Sequence, residues 1–210
     1  YHNFKDYMNF PNLGDSSLEY DPMPTIMHKN LPDGGSIIKA IRNKDIMLHY
    51  PYQSFHYIVD LLREASIDPK VQSIKMTLYR VANPSNVINA LINAARNGKK
   101  VTVFLELQAR FDEEANIYWS EKLQQNGVDV LTSIPGLKVH SKLILIKRKE
   151  KDGIRLYANI GTGNFNEKTG ALYCDDALLT CNPNITAEVD KVFGLFLMSF
   201  RPARFRHIIV

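Results

Sequence analysis

The sequence predicts an α/β fold built on a mixed, mainly parallel sheet with helices on both faces. Two observations carry this expectation. From Tyr50 to Thr132 the apolar residues switch repeatedly between a period near 3.6 and a period of two, so helices and strands alternate. After Pro135-Gly136 the rhythm becomes strand after strand, which adds a hairpin to the βαβ units.

The first helix of that series is expected from Ser54 to Ala65, where Phe55, Ile58, Leu61 and Leu62 recur at helical spacing. Val71 to Tyr79 alternates Ile74, Met76 and Leu78 with polar residues, a strand pattern. Asn83-Pro84-Ser85 opens a helix whose Val87, Ile88, Leu91, Ile92 and Ala95 form one face, and Asn97-Gly98 stops it. A strand from Val101 to Leu107, a helix from Asp112 to Gln125 and a short strand from Val128 to Thr132 follow. Val139 to Arg148 and Ile154 to Ile160 form the hairpin, joined by Glu150-Lys151-Asp152-Gly153. Asn164 to Lys168 begins a short helix, Leu172 to Thr180 is a strand, and the last helix runs from Thr186 to Phe200.

Residues 1–49 differ in character. Pro, Gly, Asn and aromatic residues crowd there, as in Phe10-Pro11-Asn12-Leu13-Gly14, and leave room for one short helix near Ser36 to Arg42. The segment is expected to be a connector, with the domain proper at residues 50–210. The chain begins without methionine and stops on the apolar run His207-Ile208-Ile209-Val210, which resembles a strand cut from its neighbours. A piece of a longer protein is therefore expected.

The formal charge of +4 falls short of a dedicated nucleic-acid binder, though a cationic excess gathered in one cleft would favour a polyanion. Cys174 and Cys181 fit neither a redox pair nor a zinc cluster, as expected of reduced cytosolic thiols. No apolar run is long enough to span a bilayer, and no signal-peptide pattern opens the chain.

Chemistry concentrates where strands end, the edge that lines the ligand crevice of open α/β sheets. In Val139-His140-Ser141-Lys142, His140 and Lys142 project to one face of a strand. A neutral imidazole there can attack phosphorus while Lys142 neutralises phosphoryl charge. H-x-K alone is an ordinary strand with one satisfied histidine. Joined to Gly161-Thr162-Gly163-Asn164 it points to phosphate, because the glycines let backbone N–H groups approach an anion and Asn164 adds a donor. Arg80 and Arg110 end neighbouring strands, and guanidinium groups bind phosphate bidentately. Asp175 or Asp176 could hold the far nitrogen of His140, with Asp175 favoured. The run Asp112-Glu113-Glu114 has a simpler role at the positive end of a helix.

The H-x-K and G-T-G-N arrangement resembles one half of the phospholipase D superfamily site. It departs at Lys147, where that pattern carries aspartate. The string Leu107-Gln108-Ala109-Arg110-Phe111-Asp112-Glu113-Glu114-Ala115-Asn116 is similar to the bacterial polyphosphate kinase family specifically, as is Ile160-Gly161-Thr162-Gly163-Asn164-Phe165-Asn166-Glu167-Lys168-Thr169. So are Tyr79-Arg80-Val81-Ala82, Asn97-Gly98-Lys99-Lys100-Val101-Thr102-Val103 and Asn9-Phe10-Pro11-Asn12-Leu13-Gly14, and the match extends over essentially the whole chain.

The resemblance implies reversible transfer of the ATP terminal phosphate to polyphosphate, with Mg2+, through a phosphohistidine on His140. It places Arg80 and Arg110 at the magnesium–phosphate site and Tyr173 beside the nucleotide. A cationic guanidinium has no lone pair for a metal, so both arginines are read as holding phosphate oxygens that also bind magnesium. Gly161 and Gly163 belong to the same phosphate-binding group. The resemblance further implies N-terminal and head domains before this region, a second catalytic domain after it, homo-oligomers of the full-length enzyme, and a cytoplasmic setting with room for peripheral contact at the inner membrane. The isolated chain is expected to bind phosphate anions with little or no kinase turnover.

The same residues leave two other readings. A phospholipase-D-type phosphodiesterase or nuclease would need two such halves, and the paired arginines and Lys147 count against it. A non-catalytic polyanion-binding module predicts salt-sensitive binding that survives loss of His140.

Overall fold

The computed structural model describes residues 3, 4, 7, 10–18, 20, 21, 23–31, 33–107, 109, 113–132, 138–197 and 204–209. After a short 3-10 turn at Ser16–Leu18 the elements are α1 (Ile37–Asn43), β1 (Ile46–Tyr50), α2 (His56–Ile67), β2 (Val71–Leu78), α3 (Asn86–Arg96), β3 (Lys100–Leu105) and α4 (Glu113–Gln125). There follow β4 (Asp129–Thr132), β5 (Lys142–Glu150), β6 (Gly153–Gly161), α5 (Glu167–Gly170), β7 (Asp175–Thr180) and α6 (Pro183–Leu197).

The strands join in one sheet, in the order β1-β7-β6-β5-β2-β3-β4. Among the described residues β2–β3 and β3–β4 pair in parallel, whereas β1–β7, β6–β7, β5–β6 and β2–β5 are antiparallel. The expected mainly parallel sheet is thus corrected to a mixed, mostly antiparallel one. Period-two patterning marks a strand without giving the direction of its neighbour. The β5–β6 hairpin docks antiparallel beside β2, and β7 then extends the sheet from β6.

Strand β1 was not expected at all. Ile46, Leu48 and Tyr50 face inward and alternate with exposed Met47 and His49, so its signal covers five residues inside a segment read as connector. Helix α1 was expected, and it buries Ile37, Ile38 and Ile41.

Helices cover both faces, as predicted. Apolar side chains of α1 to α4, such as Ile41, Leu62, Leu91 and Leu123, pack on one face with Ile74, Met76, Val103, Ile144 and Ile146 of the sheet. On the other face Leu143, Leu145 and Ala158 meet Val189, Val192 and Phe193 of α6. Burying each such side chain stabilises the fold by about 1.5–3 kcal/mol.

Several ends shifted. The strand expected from Val139 starts at Lys142, that from Leu172 starts at Asp175, and the last helix starts at Pro183 instead of Thr186. Asp112 and residues 198–200, expected in helices, lie outside the described residues, as do residues 133–137. The strand expected at the C-terminal apolar run is not present over residues 204–209. The Glu188 carboxylate instead accepts the backbone N–H groups of Arg206, His207 and Ile208 at 2.8, 2.9 and 3.0 Å, and Ile208 joins the α6 cluster.

Carboxylates from distant elements recur at helix starts. Ser36 caps α1, its hydroxyl accepting from Lys39 N at 3.0 Å, while Glu64 of α2 accepts from Ile37 N at 2.8 Å and Ile38 N at 3.1 Å. At α3, Ser85 accepts from Ile88 N at 3.3 Å and Glu167 of α5 accepts from Asn86 N and Val87 N at 2.6 and 3.1 Å. The orphan N–H groups of each first turn are thereby satisfied, and negative charge meets the positive helix end. The second device also ties α5, just after the G-T-G-N turn, to the loop that follows Arg80.

Candidate active site

Lys142 opens β5 and pairs in register with Gly161, which closes β6; Gly161 in turn pairs with Ala177 of β7. The sheet therefore places the H-x-K segment beside the G-T-G-N turn, and both beside Asp175. His140 itself lies in extended chain two residues before the strand. Thr77 of β2, 2 % exposed, holds that chain in place. Its hydroxyl donates to Ser141 O at 2.7 Å and accepts from Leu143 N at 2.9 Å. Buried Glu106 accepts from Val139 N at 3.3 Å, and Asn116 of α4 donates to both Tyr79 O and Glu106 O at 2.9 Å.

Tyr79 is the common neighbour of His140, Lys142 and Arg80. The His140 ring meets it edge-on, with centroids 4.8 Å apart at 86°. Lys142 Nζ stands 5.6 Å from the same ring centroid and the Arg80 guanidinium 5.9 Å from it, within cation–π range. Lys142 Nζ also donates to His140 O.

Electrostatics follow from this crowding. Burial, then the Lys142 and Arg80 charges, push the His140 imidazole below its ordinary value, so it is neutral at pH 7. Burial, aided by Arg80 and opposed by Asp175, pushes the Lys142 ammonium down to about 8. The result is a neutral imidazole close to two cations, whose mutual repulsion an anion would relieve.

The turn is shaped around Asp175. Thr162 Oγ1 donates to Asp175 Oδ1 at 2.7 Å and accepts from Asp176 N at 3.0 Å. A Cβ on Gly163 would stand 2.6 Å from Asp175 Cγ, so only glycine lets turn and carboxylate approach this closely. Behind the turn, Tyr50, Asn159, Gly161, Gly163, Asn164 and Asp175 border a cavity of about 10 Å³, room for one water-sized group. Asn159, Asn164 Oδ1 and the Tyr50 hydroxyl have no side-chain partner there among the described residues.

The structure brings together His140, Lys142, Arg80, Gly161, Gly163, Asn164 and Asp175. Tyr173, 58 % exposed, sits in the turn between α5 and β7. Arg110 lies outside the described residues. Asp175 was expected to hold His140, but among the described residues no hydrogen bond joins them. Its carboxylate accepts from Thr162 and acts on Lys142 through its charge. Asp176 turns outward and meets His49 Nδ1 at 2.7 Å, because adjacent residues of a strand face opposite sides. Lys147 stands five residues along β5 from Lys142, roughly 16 Å away at strand rise, which puts the superfamily's aspartate position outside this site.

Sequence reasoning missed Tyr79, Thr77, Glu106 and Asn116 as site residues. Tyr79 lay inside a string already noted, directly before Arg80, and an aromatic at a strand end was the available signal. Thr77, Glu106 and Asn116 act through contacts across 10 to 66 residues that no local pattern records.

Residues 36–202 match the family model described as polyphosphate kinase C-terminal domain 1. The chain is 53% identical over all 210 residues to a polyphosphate kinase of Vibrio vulnificus and 51% identical over 215 aligned positions to one of Escherichia coli. It spans 30% and 31% of the length of those relatives. The crystal structure of a polyphosphate kinase from Porphyromonas gingivalis superposes with a TM-score of 0.82 at 42% identity, covering 98% of this chain and 34% of that one. Nuc from Salmonella typhimurium, a phospholipase D family member, matches at a TM-score of 0.57 and 19% identity over 77% of this chain and 98% of its own, a likeness of fold alone. The sheet order, the placement of His140 beside the G-T-G-N turn and the family match agree: this chain belongs to the polyphosphate kinase C-terminal domain 1 family.

Proposed function

We propose that this chain carries the phosphoryl-accepting half-site of a polyphosphate kinase, and that His140 is its nucleophile. The observation that carries the reading is the convergence of a neutral, edge-packed imidazole with Lys142 and Arg80 at the G-T-G-N edge of the sheet. A ring nitrogen of His140 attacks the terminal phosphorus of ATP, the bond to the bridging oxygen breaks, and ADP leaves. The terminal oxygen of a polyphosphate chain then attacks the phosphohistidine, and the imidazole is restored. Both steps rest mainly on positioning and charge, which Lys142, Arg80, Asn164 and the backbone of Gly161 and Gly163 supply. Exposed Tyr173 offers its ring to the base.

Magnesium belongs to the phosphates in this reading. Among the described residues no group of three His, Cys, Asp or Glu side chains could hold a metal. The charged side chains acting on His140 are the cations Lys142 and Arg80, which fit phosphate oxygens and not the ion itself, so no step is assigned to it here.

Incubation with ATP or polyphosphate and magnesium, followed by intact-protein mass spectrometry, tests the proposal. A single acid-labile phosphate adduct is expected, and it disappears in His140→Ala. If neither this chain nor a polypeptide of its relatives' full length forms the adduct, the phosphohistidine step is wrong.

The pH dependence of adduct formation at subsaturating nucleotide should be bell-shaped. The active form has His140 neutral and Lys142 charged. Its population rises with pH through a histidine value depressed below 6.5 and falls as Lys142 loses its proton near pH 8. Lys142→Arg should move the falling limb beyond pH 9, because a guanidinium stays charged there.

A further inference from the structure

The α6 side of the sheet carries a groove unrelated to the His140 crevice. It has a volume of about 460 Å³ and is lined by Ser73, Lys75, Lys100, Thr102, Lys147 and Asp190, with Leu145, Ile154 and Leu156 at its floor. Sheet register sets it up. Ser73 pairs with Lys100 on one side and Lys147 on the other, and Lys75 pairs with Thr102 and Leu145. Cross-strand partners share a face, so three lysines from three adjacent strands project to one side. Lys100 and Lys147 are exposed; Lys75 Nζ donates to Asp190 Oδ1 at 2.7 Å.

Asp190 is the one carboxylate among these lining residues, against three ammonium groups. Like charges gathered on neighbouring strands repel, a cost that a bound anion removes. Lysine heads on four-carbon stems can follow a flexible chain of charges, and the Ser73 and Thr102 hydroxyls can donate to its oxygens. Among the described residues no aromatic side chain lines the groove to offer the stacking platform that single-stranded nucleic acid uses.

We propose that this groove is a second anion site, which holds a stretch of inorganic polyphosphate away from the reacting end. The choice of a phosphate chain rests on the polyphosphate reading of the His140 crevice; the basic groove itself does not. Lys147 is then the position where a basic residue serves the groove, five residues from Lys142 on the same strand.

Binding of end-labelled inorganic polyphosphate to the chain, measured across a salt series, tests this. Lys100→Gln/Lys147→Gln should weaken binding about tenfold at low salt and flatten the log–log salt slope by about 1.4, at ~0.7 per lost phosphate contact. Lys29→Gln/Lys39→Gln removes the same charge from exposed positions elsewhere and should leave both values unchanged. Adduct formation on His140 from ATP should also be unchanged in the groove variant. Equal affinity and slope in the groove variant overturn the site. So does an equal loss in the control pair, or a single-stranded oligonucleotide that competes as well as polyphosphate. Groove-dependent binding with no His140 adduct in either this chain or a polypeptide of its relatives' full length would remove the phosphohistidine reading and keep the site, whereas an adduct without a groove effect would do the reverse.

Discussion

Lys142→Met is expected to cut phosphorylation of His140 by about 100- to 1000-fold while making the fold more stable. The loss follows from removing a preorganised cation where charge develops on the transferring group. The gain follows from burial. Lys142 is 5 % exposed and its ammonium is pushed from 10.5 down to about 8, chiefly by desolvation. At 1.36 kcal/mol per pKa unit that depression costs about 3 kcal/mol at neutral pH. Methionine removes the cost but also the hydrogen bond to His140 O, worth about 1 kcal/mol, which leaves a net gain of about 2 kcal/mol.

The sign fixes the pH window. A lysine whose folded value lies below its unfolded one destabilises the fold fully below pH 8, and the penalty vanishes above about 10.5. Urea denaturation should therefore show the methionine variant ahead by about 2 kcal/mol at pH 7 and behind the parent by about 1 kcal/mol near pH 11, where only the lost hydrogen bond counts. A methionine variant no more stable than the parent at pH 7 would show that the buried charge costs no more than its hydrogen bond to His140 O contributes. An active-site residue that weakens its own fold is a common exchange of stability for function.

Glu150→Ala should destabilise the chain by about 3–5 kcal/mol, the usual cost of breaking a buried ionic network by removing one partner. Glu150 Oε1 accepts from Arg148 Nη1 at 2.5 Å and from the Tyr157 hydroxyl at 2.6 Å, and Oε2 meets Arg42 Nη1 at 3.4 Å. Arg148 Nε completes the chain to Asp68 Oδ2 at 2.7 Å. Without Glu150, the buried phenol of Tyr157 loses its acceptor and Arg148 keeps one carboxylate. Thermal denaturation gives the measurement, and Glu150→Gln should recover part of the loss by keeping an acceptor for Tyr157.

Burial works to raise the Glu150 carboxyl, but the Tyr157 and Arg148 hydrogen bonds and the Arg148 and Arg42 charges bring it below its ordinary value. Asp68 is lowered in the same way against its own burial, by Lys70 N and Arg148. Carboxyls depressed in the fold stabilise it above their unfolded values near pH 4, and that stability disappears as pH falls through the folded ones. The gap between parent and Glu150→Ala should accordingly narrow below pH 4.

The network sits at the β5–β6 turn, eight residues along β5 from Lys142. It ties α1, through Arg42, and the α2–β2 turn, through Asp68, to that hairpin. The hairpin carries Lys142 and Gly161 at its other end. Loosening it should therefore lower stability before it disturbs the geometry around His140.

Much of this was written locally. Ile74, Met76 and Leu78 announced β2, Ser85 announced the start of α3, and the β5–β6 hairpin was legible from its turn. His140, Lys142, Gly161, Gly163 and Asn164 were found as a group because two short motifs end adjacent strands. Asp175 was favoured over Asp176 to hold His140, yet its hydrogen-bond partner is Thr162 and not the histidine, while Asp176 meets His49. Strand β1 escaped because five alternating residues in a proline-rich stretch carry little periodic signal.

The sequence by itself determined which stretches are helix or strand apart from β1, the two motifs and the family. The tertiary structure decided strand direction, the Tyr79 platform, the supports at Thr77, Glu106 and Asn116, and the lysine groove. Periodicity reports how one residue relates to neighbours a few positions away. Pairing direction, distant carboxylate caps and charge gathered across three strands depend on contacts between segments far apart in the chain, and those exist only once the sheet has closed.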